Sequence, residues 1–247
     1  MYNSLGAERR IKMPNSVLLA KANEGDIQSM LQVAAEYYRD HDLEKAIEYF
    51  KMAVRYGSAQ AIGYLKQLYS EELDHRNGNW LQTFLEFECS HNNRVAIGSL
   101  AYMYMQGQYV EKNESKALSL LYKGADLNDG YCINFLAGSY FDGKLGLIPD
   151  TDMAIMYLNM GRKIGYAPSI AFLAHCYATG DGVTEDPHTA FELYTEAAEK
   201  DFAEAQYELF LIYKDGNGVE ADYDKAIYWL QRAAQNGHRT AKSIIEG

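Results

Sequence analysis

The chain has 247 residues, of which 48% are apolar, and its formal net charge is −11. Proteins that bind nucleic acid need a basic face to displace counterions. No stripe of Lys and Arg appears here, so nucleic acid is not an expected partner. No apolar run approaches the length of a membrane span, and membrane insertion is not expected either. The acidic excess fits either a solvated outer surface or a basic protein partner.

The first 24 residues fall outside the regular pattern that fills the rest of the chain. Met1 to Lys12 is polar, and Ser16 to Ala22 fits the start of a capping helix. Val17 to Ala20 is too short for the apolar core of a secretory leader. We therefore expect an N-terminal leader segment and capping helix at 1–24. A repeat domain should follow at 25–247, with a last capping helix near Thr240 to Ile245.

A periodic pattern dominates the remainder of the chain. Four Tyr-x₂-Gly segments begin at Tyr104, Tyr140, Tyr177 and Tyr213. Each is followed by an alanine, and these alanines, spaced by 36 or 37 residues, are Ala117, Ala154, Ala190 and Ala226. A fixed period of this size is typical of a solenoid, in which one unit stacks on its own copies.

Each period is predicted to form two helices joined by a loop. In the last full copy, Ala205 to Tyr213 has apolar residues at i, i+4 and i+8, which indicates a first helix, A. Gly216 to Val219 interrupts that pattern, and a second helix, B, contains Ala226. A side-chain oxygen four positions before the helix B alanine can cap the helix. These predicted caps, directly after which helix B should begin, are Asp42, Asn113, Asp150, Asp186 and Asp222.

The second copy departs from the pattern. It keeps Ala61, Leu65 and Tyr69 in helix A, but its alignment puts Gln82 where the other copies have the helix B alanine. The paired small residues near the end of helix B become Cys89 and Ser90. Because bulky residues hold helices farther apart, we expect the helix packing to differ here.

The complete pattern resembles the Sel1-like repeat, a relative of the tetratricopeptide repeat. It reads Ala-x₃-Leu-x₃-Tyr-x₂-Gly-x-Gly-Val-x₂-Asp-x₂-Lys-Ala-x₂-Trp-x₃-Ala-Ala-x₂-Gly from Ala205 to Gly237, and it is well preserved from Ser169 to Asp201. The resemblance implies an all-α fold, a right-handed α-solenoid (α/α superhelix) of about six stacked helix-loop-helix repeats. It also implies a non-catalytic protein–protein interaction module.

The chain contains three cysteines, Cys89, Cys132 and Cys176, in separate repeats. Some Sel1-like proteins are exported and hold each hairpin with a disulfide, whereas here the number is odd, at one per repeat. Cys132 and Cys176 fall at packed helix A positions, where cysteine behaves as a small hydrophobe. We therefore expect a reduced, cytoplasmic protein.

The inner curve of a helical-hairpin array is its expected binding surface. By analogy with tetratricopeptide repeats, the groove positions lie two residues on either side of the helix A leucine and one after the tyrosine. Large apolar side chains there favour a partner site, whereas tight curvature would bury them against neighbouring repeats. The predicted protein-binding residues are Tyr38, Gln67, Tyr102, Met105, Asn134, Phe141, His175, Tyr207, Leu211 and Lys214.

Motifs for catalysis, metals and cofactors do not occur in the sequence. The glycine-rich loops from Gly180 to Gly182 and from Gly216 to Gly218 follow a predicted helix rather than a strand, which favours turns over phosphate cradles. The histidines occur singly, without HExxH spacing, and no CxxC or Gly-x-Ser-x-Gly motif is present. We predict no catalytic residue, no metal ligand, no cofactor and no enzyme activity.

The leading functional hypothesis is an intracellular adaptor or scaffold whose groove captures a peptide or another protein. The alternative is an immunity or inhibitor protein, a small acidic solenoid that masks a basic toxin or enzyme. The adaptor predicts micromolar affinity and modest salt dependence, whereas the inhibitor predicts nanomolar affinity and fast, salt-sensitive association. An enzyme ranks third.

Overall fold

The computed structural model describes residues 14–71 and 79–246. All regular secondary structure in these two stretches is helical, with fourteen α-helices and no strand. The predicted all-α fold of helical repeats is confirmed. The predicted leader segment Met1 to Lys12 lies outside the described residues.

The helices group into two compact units, Met1–Asn113 and Glu114–Gly247. The N-terminal unit contains α1 (Ser16–Asn23), α2 (Ile27–Arg39), α3 (Leu43–Arg55), α4 (Ala59–Glu71), α5 (Trp80–Ser90) and α6 (Arg94–Gln106). Here α1 packs on α2, α2 on α3, α3 on α4, and α5 on α6. The expected capping helix after residue 15 is α1.

The C-terminal unit continues the same alternation of A and B helices. It contains α7 (Glu114–Asp126), α8 (Gly130–Asp142), α9 (Thr151–Lys163), α10 (Ala167–Thr179), α11 (Pro187–Ala198), α12 (Ala203–Asp215), α13 (Tyr223–Gln235) and α14 (Arg239–Glu246). Each of these helices packs on the next one along the chain. The expected C-terminal capping helix is α14, and a single repeat domain over 25–247 stays a prediction.

Helix B begins directly after every predicted cap. The residues before the first helical residues of α3, α7, α9, α11 and α13 are Asp42, Asn113, Asp150, Asp186 and Asp222. The carboxylates of Asp42, Asp150 and Asp222 each accept a hydrogen bond from the backbone N–H three residues later, at 3.2, 3.0 and 3.0 Å. The first N–H groups of a helix have no partner within it, and each carboxylate supplies one.

Replacing Asp186 with alanine should lower the melting temperature by about 2–4 °C. Its carboxylate accepts hydrogen bonds from the Thr189 hydroxyl and from the backbone N–H groups of Thr189 and His188. These hydrogen bonds lower the pKa of the Asp186 carboxyl, and those from Thr189 have the largest effect. A lowered folded-state pKa stabilises the protein above the unfolded pKa of about 3.9, and that stability is lost as the pH falls through the folded value.

Thermal melts followed by circular dichroism will check this prediction. The difference between the natural protein and the Asp186→Ala variant should be largest at neutral pH and should shrink as the pH falls through the lowered folded-state pKa of the Asp186 carboxyl. A variant that melts with the natural protein at pH 7 would show that this cap does not stabilise α11.

The glycine of the Tyr-x₂-Gly segment ends helix A. Gly180 and Gly216 follow α10 and α12 with φ angles of 80° and 71°. These angles lie in the left-handed region, which residues with a Cβ atom adopt only at a cost in free energy. Their N–H groups donate to the carbonyls of Cys176 and Ile212, both at 2.8 Å. The loops are helix-terminating turns, as predicted, and these two N–H groups already have partners within the chain.

Small residues belong to the core of the repeats. The recurring alanines of helix B are all buried, and they are Ala117, Ala154, Ala190 and Ala226. Neighbouring tyrosines fill the space beside them: the rings of Tyr140 and Tyr157 stack with centroids 5.7 Å apart, and the hydroxyls of Tyr140 and Tyr122 are 2.7 Å apart. The small side chains allow close approach of the backbones, and the tyrosines complete the core with their hydroxyls paired.

The expected alignment of the second repeat is wrong by one residue. Leu81 rather than Gln82 is buried near the start of α5, and Glu88 with Cys89, rather than Cys89 with Ser90, is buried near its end. Burial of the Leu81 side chain is favourable, whereas a buried amide needs partners. Half-buried Gln82 has them, because its amide N–H group donates to Glu86 and to the Tyr104 hydroxyl at 2.8 and 3.1 Å.

Candidate protein-binding site

The N-terminal unit places three of its predicted binding residues at least partly at the surface. Tyr38 is half-buried, Gln67 is exposed, and Tyr102 on α6 retains 41% of its accessible area. The Lys66 ammonium group lies 5.7 Å from the centroid of the Tyr102 ring. Tyr102 is thus accessible along one side and contacts a cation from α4 on another.

Met105 corrects the groove prediction. It retains only 7% of its accessible area, so it belongs to the core and not to a surface that a partner can reach. The reason lies in the burial pattern of α6, which covers more than one face: Ala101, one turn earlier, and Tyr104, the preceding residue, are both buried as well. A helix packed on several sides buries positions that a single-stripe pattern assigns to solvent.

The C-terminal unit brings the predicted positions of α8 and α10 into contact. The rings of Phe141 on α8 and Phe172 on α10 lie 5.3 Å apart, and both side chains remain partly exposed. Asn134, also on α8, accepts a hydrogen bond from the buried Ser169 hydroxyl at 3.0 Å. Phe141 is therefore available to a partner, whereas the Asn134 side chain is already engaged in helix packing.

Two predicted residues on α12 make contacts within the unit. The ring of half-buried Tyr207 stacks on His238, with centroids 4.3 Å apart. The Lys214 ammonium group is exposed and lies 3.6 Å from the Asp215 carboxylate. Tyr207 is held by its neighbour, and Lys214 is free to move in solvent because an exposed ion pair of this kind contributes little.

A pocket of about 190 Å³ lies between α10, α11 and α12 and includes the predicted residues His175 and Leu211. The other lining residues are Ala178, Pro187, Ala190, Tyr194, Glu208, Ile212, Asp215 and Asn217. Its walls combine aliphatic side chains with carboxyl, hydroxyl and amide groups. The sequence pattern singled out His175 and Leu211 as groove residues, but it did not predict the pocket that they line.

Burial shifts the acid–base equilibria of two groups in this pocket. Glu208 is half-buried, and desolvation raises the pKa of its carboxyl, against the smaller opposing effects of His175 and His238. Tyr194 is 5% exposed, and desolvation, reinforced by the charge of Glu208, raises the pKa of its hydroxyl. The pocket therefore contains a carboxyl group and a neutral hydroxyl in surroundings that are drier than the open surface.

Tyr194 and Glu208 were missed by the sequence analysis, although both depart from the repeat. Tyr194 stands at the helix B position that holds Leu158 one repeat earlier and Leu230 one repeat later. Glu208 stands at the helix A position that holds Phe172. A polar group at a position that is apolar in the neighbouring copies is the signal that could have found them.

Metal-ligand clusters and thiols are two further kinds of reactive group to locate among the described residues. Residues 14–71 and 79–246 contain no group of three His, Cys, Asp or Glu side chains placed to hold a metal ion. The thiols of Cys89, Cys132 and Cys176 are free and buried. Desolvation raises the pKa of the Cys176 thiol to about 11, so it is protonated and unreactive at neutral pH.

The repeated, capped hairpins define a helical-repeat protein. The sequence model of the Sel1 repeat matches residues 28–57, 95–129, 130–165, 167–202 and 203–238, and the chain belongs to the Sel1 repeat family. The second predicted repeat lies between the first two of these matches, in the part of the chain where Leu81 and Glu88 replace the usual alanines.

Curated relatives include two fungal proteins. Chitin synthase regulatory factor 3 of Schizosaccharomyces pombe is 28% identical over 162 residues, which cover 63% of this chain and 17% of the relative. Chitin synthase regulator SKT5 of Saccharomyces cerevisiae is 28% identical over 206 residues, which cover 78% of this chain and 30% of the relative. The chain thus spans less than a third of the length of these relatives.

Solved structures share the fold at low sequence identity. A Sel1 repeat protein from Oxalobacter formigenes has a TM-score of 0.65 at 24% identity, over 88% of this chain and 87% of that one. The immunity protein Pa5087 from Pseudomonas aeruginosa has a TM-score of 0.52 at 21% identity, over 74% of this chain and 67% of that one. In the stretches that the structure describes here, no helix is both long and apolar enough to cross a bilayer.

Proposed function

We propose that the protein is a non-catalytic interaction module, an adaptor or scaffold of the cytoplasm, that binds a peptide or protein segment on the face of α8, α10 and α12. The observation that carries this proposal is the partial exposure of large apolar side chains on successive A helices. Phe141 and Phe172 meet between α8 and α10, and Leu211 lines the pocket between α10 and α12. Apolar side chains in such a row gain free energy when a partner covers them.

The relatives support a function exerted through another protein. Two of them are named as regulators of chitin synthase, and a regulator changes the activity of a different protein. We propose the same mode of action for this chain. Because the chain spans less than a third of those relatives, the proposal extends to the mode of action and not to chitin synthase as the partner.

A second candidate function is that of an immunity or inhibitor protein. The net charge of −11 favours a basic partner, and the immunity protein Pa5087 shares the fold. An inhibitor of this kind would associate rapidly, and its association rate would fall steeply with added salt. The association rate of an apolar segment with a groove would depend only weakly on salt. The salt dependence of the association rate therefore separates the two candidates.

Selection of a phage-displayed random peptide library against the full chain tests the proposed face. We expect enriched peptides that bind at micromolar Kd in calorimetry. Phe141→Ala and Leu211→Ala should each weaken that binding by about ten- to a hundredfold, because each removes apolar contact area at the centre of the face.

Matched controls come from exposed apolar residues on B helices. Tyr223 on α13 and Met156 on α9 are both exposed, and Tyr223→Ala and Met156→Ala should leave peptide affinity unchanged. If the control variants and the face variants lose affinity equally, or if none of them does, the binding site lies elsewhere. Far-UV circular dichroism of each variant will exclude loss of folding as the cause.

A further inference from the structure

The pocket between α10, α11 and α12 contains a carboxylate without an ionic partner. Glu208 is half-buried, and no hydrogen bond or ion pair within 4 Å joins its carboxyl group to any other described residue. His175 and His238 act on it electrostatically without forming an ion pair. A carboxylate that has lost part of its hydration without gaining a partner destabilises the free protein.

Tyr194 provides a second polar group that has no partner in the same pocket. Its side chain is almost fully buried and lines the pocket, and its hydroxyl makes no hydrogen bond with the described part of the chain. The preceding and following repeats have Leu158 and Leu230 at this position, so the helix packing does not require a hydroxyl group there. The hydroxyl oxygen is available to accept a hydrogen bond from a ligand.

The remaining walls match the stem of a long cationic side chain. Ala178, Ala190, Leu211 and Ile212 present aliphatic groups to the pocket, while Asp215 and Asn217 add oxygen acceptors. Lysine and arginine combine a chain of methylene groups with a charged donor group, and they bury the chain along apolar surface. The pocket offers the complementary arrangement of aliphatic wall and acceptor oxygens.

We propose that this pocket binds the side chain of a lysine or arginine presented by the partner protein or peptide. The Glu208 carboxylate pairs with the cationic group, and the Tyr194 hydroxyl accepts one of its hydrogen bonds. The aliphatic stem lies against Leu211 and Ala178. This inference rests on the proposed function, because it specifies the chemistry of the segment that the face of α8, α10 and α12 would bind.

Charge and geometry select this occupant over other classes of ligand. An anion would meet the Glu208 and Asp215 carboxylates, and a purely apolar side chain would leave the Glu208 carboxylate desolvated and unpaired. A metal ion needs several ligands at short range, and the described residues provide no such group. A cationic side chain compensates the carboxylate and brings its own apolar stem.

The test uses small probes, so it does not depend on knowing the partner. Nα-acetyl-lysine methylamide and Nα-acetyl-arginine methylamide, whose side chains keep their positive charge, are titrated into the ¹⁵N-labelled full chain. Nα-acetyl-norleucine methylamide is the uncharged control. We expect saturable chemical-shift changes at the amides of Ala190, Leu211 and Ile212 for the two basic probes. Their Kd should be at least about tenfold lower than that of the norleucine probe, because only they pair with the carboxylate.

Two substitutions assign the effect to the pocket. Glu208→Gln keeps the size of the side chain but removes its charge, and Tyr194→Phe removes only the hydroxyl group. Both substitutions should weaken the binding of the basic probes, and Glu208→Gln should raise their Kd by about tenfold or more. The control Glu192→Gln removes the same charge from an exposed position of α11 and should have no effect. If Glu208 had a structural role instead, Glu208→Gln would lower the melting temperature, whereas loss of an unpaired carboxylate should leave it unchanged or raise it.

Several results would overturn the inference. These are equal binding of the norleucine probe, basic-probe binding that survives Glu208→Gln, and the absence of shifts with either basic probe up to about 50 mM. Selected peptides that depend on Phe141 and Leu211 but need no Lys or Arg would also overturn it, while leaving the proposed function intact. Conversely, probe binding in the pocket without any selected peptide would count against the proposed function alone.

Discussion

Replacing Arg55 with methionine is expected to destabilise the N-terminal unit by about 2–3 kcal/mol. The Nε atom of Arg55 on α3 donates to the Oε1 atom of Glu88 on α5 at 2.9 Å. Glu88 is 5% exposed, and without the guanidinium group its one remaining side-chain partner among residues 14–71 and 79–246 is the Asn93 amide at 3.3 Å. Methionine keeps much of the aliphatic stem. The loss of stability therefore measures the effect of leaving the buried Glu88 carboxylate without its cationic partner more than the effect of lost packing.

The measurement is native-state hydrogen exchange combined with urea unfolding, because a repeat protein need not unfold in one step. Amides of α3, α5 and α6 should lose protection. Arg162→Met is the matched control: Arg162 also lies in the last turn of a B helix and pairs with Glu196 at 2.9 Å, but both side chains are substantially exposed. That substitution should cost less than about 1 kcal/mol.

A second substitution should recover most of the stability lost in Arg55→Met. Glu88 occupies the α5 position that corresponds to Ala53 in α3, so Glu88→Ala restores the small residue of the repeat. The double variant Arg55→Met/Glu88→Ala removes both charges, and removing a whole buried pair is often nearly neutral. If the changes in stability caused by the two single substitutions simply add, the unpaired Glu88 carboxylate is not what destabilises the Arg55→Met variant, and the explanation fails.

Gly161→Ala is expected to destabilise the C-terminal unit by about 1–3 kcal/mol, although alanine favours helix over glycine. Gly161 is buried near the end of α9, and a β-carbon there would overlap the Oγ and Cβ atoms of Ser169 on α10. The Cβ atom of Ser169 is fixed by the backbone and cannot rotate away. The two helices must therefore move apart, which strains the packing around them.

Gly63→Ala provides a control with the opposite sign. Gly63 lies within α4, and a β-carbon there would meet no atom within 4 Å, so alanine should stabilise the N-terminal unit by about 0.5–1 kcal/mol. In the C-terminal unit, adding Ser169→Gly to Gly161→Ala should restore part of the lost stability by moving the small residue across the contact. Urea unfolding of the single and double variants measures both effects, and stabilisation by Gly161→Ala alone would contradict the predicted overlap.

The sequence by itself determined the local structure of the repeats. Asp42, Asp150 and Asp222 cap backbone N–H groups only three residues away, and Gly180 and Gly216 end their helices through bonds to carbonyls four residues back. Such interactions depend on short spacings along the chain, which a single sequence shows directly. The period of 36 or 37 residues then predicted a solenoid, because each copy repeats the same local pattern, and the residue pattern within the copies carried the resemblance to the Sel1-like repeat.

Only the tertiary structure decided which side chains are accessible. Met105 is buried because α6 packs on more than one face, and the start of α5 at Trp80 shifted the buried positions to Leu81 and Glu88. The pocket joins Tyr194 and Glu208 from helices whose packing a repeat pattern does not describe. Burial and pocket shape depend on the distances between helices, and those distances are set by the side chains of several repeats at once.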